Sequence, residues 1–187
     1  PAKSHYTFNL RDFGRVVAGL VMATPEGVGD IQALSRLWVH ETSRVFTDRL
    51  NDAADIMLCQ ETIRDAAQRC LGVRFSDIVA QLKASAGEDV EADVDESASE
   101  DPDFAHLNYL LWGDYTNSKK NRGAPVYREF TSYKDLLTVY ETFKSDHNSF
   151  SKAPLDVVFF AFFVGHANRI ARLFSHPRGN ALLVGVG

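Results

Sequence analysis

Apolar residues recur at helical spacing along most of this chain. Asn9 can cap a helix, with Asp12 three residues later in the reciprocal position. Phe13, Val16, Val17, Leu20 and Val21 then follow at i, i+3, i+4, i+7 and i+8 as one apolar stripe. Thr24-Pro25-Glu26-Gly27 ends it. Asp30 can cap a second helix, in which Leu34, Leu37, Trp38 and Val45 line one face and Phe46 and Leu50 widen it. A third carries Ile63, Ala66, Ala67, Cys70 and Leu71 and stops at Gly72, a residue suited to the left-handed turn that closes helices. Ser76 opens a short fourth, ending near Lys83.

The pattern breaks at residues 84–104, which hold too few apolar residues to fold and read as a solvated or disordered insertion. Leu107 to Trp112 is then a short apolar run, strand or buried turn, and Asn117 to Pro125 a polar, glycine-bearing loop. Ser132 with Asp135 repeats the capping pattern and opens a helix carrying Leu136, Leu137, Val139, Tyr140 and Phe143. Pro154 begins the last long segment, where Phe160, Phe163, Val164, Ala167, Ala171 and Phe174 keep helical spacing as far as His176-Pro177. Ala181 to Val184 is an unbroken apolar run, as in a strand buried on both faces, and Gly185-Val186-Gly187 follows it. Such a strand running into glycines is how a phosphate-binding loop begins, although a plain strand-to-turn junction reads the same way.

Charge changes this picture in one place. Gly87 to Asp103 holds nine acids and no base, so outside it 16 acids face 20 bases, and the net charge of -5 conceals a mildly basic remainder. That balance could suit an acidic partner such as a microtubule or nucleotide, and more often means only an ordinary mixed surface. The longest apolar stretch, Val157 to Gly165, is too short to span a bilayer, and the start of the chain lacks the pattern of a signal peptide. Cys59 and Cys70 lie too far apart along one helix for a disulfide, which fits a reducing compartment. His40-Glu41 lacks the second histidine of the zinc-protease helix, since position 44 is Arg44, and reads as a helix surface feature. Neither a Cys-x-x-Cys pair nor a Gly-x-Ser-x-Gly elbow is present, and no apolar strand ends in an Asp-Glu pair that could hold magnesium.

Three blocks carry a resemblance. Pro1-Ala2-Lys3-Ser4-His5-Tyr6-Thr7-Phe8-Asn9-Leu10-Arg11-Asp12-Phe13 closely resembles the start of the helical small subdomain of the third AAA+ module in dynein heavy chains, especially axonemal ones. Leu37-Trp38-Val39-His40-Glu41, Arg44-Val45-Phe46 and Asp48-Arg49-Leu50 are similar to the second helix of that subdomain. Pro154 to Phe160, His166, Arg169-Ile170 and Gly179 to Gly187 resemble the lead-in to the fourth module's phosphate-binding loop. The acidic insertion matches nothing in the family pattern, and Gly14 and Ala18-Gly19 depart from its usual helix residues.

The resemblance implies a mainly α chain: a helical AAA+ lid subdomain, then a helix and the first buried strand of the next AAA+ α/β subdomain. It divides the chain into a lid (1–86), the acidic insertion (87–104), an inter-module connector with a helix (105–153) and the start of the next module (154–187). It implies a piece of an ATP-driven, minus-end-directed microtubule motor, cut inside the phosphate-binding loop and inactive alone. Arg11 becomes a candidate sensor of the third module's nucleotide. Leu155, Val157 and Val158 become candidate adenine contacts, and Gly185 and Gly187 half of a phosphate cradle. ATP or ADP with magnesium belongs to the intact parent, not to the isolated segment. Expected partners are the rest of the AAA+ ring and, through other regions, microtubules and dynein intermediate and light chains, with no nucleic acid and no membrane. The expected place is the cytoskeleton of a cilium or flagellum. A helical scaffold domain with no nucleotide role, or a piece of another multi-module AAA+ ATPase such as one of ribosome assembly, remains the alternative.

Overall fold

The computed structural model describes residues 3, 6–86, 104, 106–115 and 125–185, with side chains from 83 to 86 and at 81 left undescribed. The acidic segment 87–103, most of the polar loop 117–125, His5 and Gly187 lie outside the described residues. The fold is mainly α. In chain order come α1 (Leu10–Met22), α2 (Pro25–Val28), α3 (Ile31–Val45), α4 (Ala53–Ala66), α5 (Phe75–Ala86), β1 (Trp112–Gly113), β2 (Arg128–Glu129), α6 (Tyr133–Phe150) and α7 (Ala161–Ser175).

Local chemistry sets the ends of these helices. The Asn9 side chain accepts from the α1 amides and Asp12 returns the bond to the Asn9 N–H, a complete capping box. Asp30 accepts from the Ala33 N–H at 2.7 Å and Ser132 from the Asp135 N–H at 3.1 Å, so α3 and α6 start at the expected residues. Helix α4 widens into a π turn over Ala67–Leu71 and closes on Gly72, whose φ of 68° lies in the left-handed region.

Helix α3 is the axis of the molecule, touched by α1, α2, α4 and α5. Its Leu37 and Val39 enter one apolar core with Ile63, Ile78 and Val79 from the helices after it, with Val73 from the link between them, and with Phe104, Leu107, Leu110, Trp112 and Tyr127 from the connecting segment. That segment forms a short antiparallel ladder, Trp112 opposite Glu129 and Gly113 opposite Arg128. A smaller core joins Leu111, Leu136 of α6 and Val164 of α7, with Tyr115, Tyr140 and Phe159 packed around it.

Three expectations are corrected. The α1 stripe does not face inward as a whole: Asp12, Val16 and Gly19 are buried, while Phe13 and Val21 are 63% and 76% exposed. The helix is rotated because only Gly19 lets its backbone lie flush on α3. Second, Ala181 to Val184 forms no strand, and Leu182 is 89% exposed. A strand needs a neighbour to receive its amides and carbonyls, and no described segment pairs with this one. Third, His40 and Glu41 are no surface feature, since both are buried.

Candidate functional site, a buried charged seam

Beyond its exposed first turn, α3 buries polar residues on several sides, at Ser35, Arg36, His40, Glu41 and Ser43, where the helices around it leave them no solvent face. Glu41 is fully buried. An isolated buried carboxylate is costly unless donors surround it, and here three residues supply them. Tyr127, just ahead of β2, donates its hydroxyl to Oε1 at 2.7 Å. His40 Nδ1 lies 3.1 Å from the same oxygen. Arg172 of α7 donates to Oε2 from Nε at 2.9 Å and from a terminal nitrogen as well. Gly19 of α1 completes the enclosure, because a Cβ there would overlap the Glu41 carboxylate.

These contacts decide the ionisation states. Burial would raise the Glu41 pKa, but the hydrogen bonds from His40 and Arg172 outweigh it and lower it to about 2, so the carboxylate is charged. Burial lowers His40 to about 4 despite Glu41 beside it, so the ring is neutral. Burial opposes the charge on Arg172 too, yet Glu41 raises its pKa. Tyr127 is held protonated, its pKa raised by burial and then by Glu41.

Two further ion pairs extend the seam. Arg169, one turn before Arg172, donates to Asp48 at 3.0 Å, and Asp48 also pairs with Arg44 at 3.3 Å. Arg44 is lowered to about 10 by burial. On the far side of α3, Arg36 donates from Nε to both oxygens of Glu129, at 2.8 and 2.9 Å, fastening β2 to the helix. Asn168, buried on α7, donates to the Trp112 carbonyl and to the Tyr115 hydroxyl, both at 3.1 Å. The arrangement offers no nucleophile with an adjacent base and no open position for a reacting atom. Its chemistry is that of a joint.

The residues singled out in the sequence lie elsewhere. Arg11 is exposed in the first turn of α1, its amide donating to Asn9 Oδ1 at 2.8 Å. Leu155 and Val157 lie beside α6 in a segment without regular secondary structure. Leu155 exchanges two backbone bonds with the Asn148 side chain, and the Val157 carbonyl accepts from Lys144. Val158 is 80% exposed. Gly185 stands in open space. A groove of about 860 Å³ lies between the Glu26–Asp30 turn, β2 and α6, and none of these candidate residues lines it. The described residues therefore do not assemble a nucleotide cradle. Among them no group of His, Cys, Asp and Glu has the arrangement to hold a metal, and no helix is long and apolar enough to cross a membrane. Cys59 and Cys70 are free thiols.

Sequence reasoning missed Glu41, Tyr127, Arg172 and Gly19. The available signal was the absence of any purely polar face on α3, which means that some of its charges must be buried.

A family model described as AAA+ lid domain matches residues 1–85. Dynein axonemal heavy chain 3 of Homo sapiens is 33% identical over 187 residues, all of this chain and 4% of that protein. Dynein axonemal heavy chain 1 of Mus musculus is 34% identical over 187 residues, again all of this chain and 4% of the relative. Dynein axonemal heavy chain 12 of Rattus norvegicus is 32% identical over 191 residues, which is 6% of its length. The chain thus spans only a small part of the curated relatives it matches.

Proposed function

We propose, from the premise that this chain belongs to the axonemal dynein heavy chain family along all of its 187 residues, that it forms the lid of the third AAA+ module and the wall this lid shares with the fourth. In this reading the parent is an ATP-driven, minus-end-directed microtubule motor of the cilium or flagellum. Residues 1–86 act as lid, 105–153 as connector and 154–187 as the opening of the next module.

The observation that carries the reading is the Arg172 to Glu41 contact. A wall between two modules must transmit displacement instead of absorbing it, and a charge pair enclosed in a packed seam is stiff where an exposed pair is not. Arg11 would meet nucleotide from the exposed end of α1. Leu155, Val157, Val158, Gly185 and Gly187 would contribute to the fourth module's site, where bound ATP or ADP with magnesium would supply the free energy of the cycle. In the parent heavy chain, Arg172→Ala is expected to lower microtubule-stimulated ATP turnover about tenfold, the weight of roughly 1.4 kcal/mol in a rate. Turnover equal to wild type would contradict the wall assignment. The purified 187-residue chain is expected to show no ATP turnover above buffer background.

A further inference from the structure

Helix α7 is held on the helical body by an apolar contact at Val164 and by charge. Its buried residues are Val164, Gly165 and Asn168, whereas Phe160, Phe162 and Phe174 are exposed. Its two guanidinium groups, Arg169 and Arg172, reach Asp48 and Glu41 one turn apart. With Arg44, three arginines share these two carboxylates, so the seam already carries a surplus positive charge.

His40 faces that surplus. Its Nδ1 lies 3.1 Å from Glu41 Oε1, and its Nε2 is buried with no hydrogen-bond partner among the described residues. A neutral ring donating from Nδ1 leaves Nε2 a bare acceptor. A charged ring would place an N–H there with nothing to receive it, the costlier state in a buried site. The groups facing the ring and its carboxylate are Glu41 and Arg44 from α3, Arg172 from α7 and Tyr127 ahead of β2, while α1 presents only the uncharged Gly19. His176, at the end of α7, feels the same Arg172 and Glu41.

We infer that His40 makes the seam an acid-releasable latch: proton uptake at its Nε2 drives Arg172 away and undocks α7 from α3, while the rest of the helical body stays folded. The direction follows from linkage. Undocking takes Arg172, whose charge lowers the His40 pKa, away from the ring that burial holds at about 4, so the undocked ring binds its proton more tightly than the docked one. Docking is therefore at full strength above pH 6.5 and weakens as pH falls toward 4. His166 and His176 on α7 are also lowered, by burial first and then by the arginines, so acid adds charge of the same sign there.

The test is amide hydrogen exchange on the 187-residue chain between pH 7 and pH 5, corrected for intrinsic exchange. Protection of the α7 amides relative to those of α5 is expected to fall severalfold. In His40→Asn, which keeps an N–H near the Nδ1 position and cannot take up a proton, the fall is expected to shrink to the smaller share that His166 and His176 contribute. A ratio that is constant in wild type, or that falls equally in His40→Asn, overturns the latch. Should that variant fail to fold, magnetic resonance titration of His40 in wild type decides. Protonation in step with α7 release supports the latch, and release while the ring is still neutral overturns it.

Discussion

Glu41 shows how a single residue can order its surroundings. Its charge is tolerated because Tyr127, His40 and Arg172 meet its oxygens, and each of these donors is positioned by a different segment or turn. Tyr127→Phe removes a hydrogen bond to an ionised acceptor with almost no change of shape. It is expected to cost about 1.5–3 kcal/mol of unfolding free energy in urea at pH 7. The two glycines of α1 give a sharper contrast. At Gly14 nothing lies within 4 Å of an added Cβ, so Gly14→Ala is expected to stabilise by about 1 kcal/mol through helix propensity alone. At Gly19 the same methyl meets a carboxylate that cannot retreat, and Gly19→Ala is expected to destabilise by about 1–3 kcal/mol. Equal signs for the two substitutions in parallel melts would remove the reason given for the rotation of α1.

At the scale of elements, what the sequence made legible was local. Asn9, Asp30 and Ser132 cap helices and Gly72 ends one, because each acts on backbone groups within a few residues. Asn9→Ala is expected to cost about 1 kcal/mol in thermal unfolding. Asp12→Ala is expected to cost more, since Asp12 also pairs with Arg15 at 3.0 Å and Arg49 at 2.9 Å. What was illegible depends on partners far along the chain. The stripe on α1 gave the period of the helix but not which residues turn inward, because that is set by Glu41, 22 positions after Gly19. The Ala181 to Val184 run has the composition of a buried strand and no described neighbour to pair with. The seam itself joins residues 131 positions apart, beyond any periodicity.

Across the whole molecule two apolar cores are bridged by polar contacts, with Trp112 in the larger core and Asn168 of α7 bonded to its carbonyl. Acid should act on this bridge first. His40 is depressed in the folded state to about 4, so its contribution is complete above pH 6.5 and is lost as pH falls toward 4, about 3 kcal/mol in all. Glu41, lowered to about 2, gives up its share only below the ordinary carboxylate range. Unfolding free energy in urea is thus expected to be level from pH 8 to 6.5 and to decline between 6.5 and 4, a decline that His40→Asn reduces and that His166 and His176 share. The central claim, that α3 and α7 are one mechanical piece joined through Glu41 and Arg172, is met most directly by a double-mutant cycle of Glu41→Gln and Arg172→Met, read as unfolding free energy at pH 7. A coupling of about 1.5 kcal/mol or more between the two sites is the expected result. Additive losses, with coupling within about 0.5 kcal/mol of zero, would contradict it.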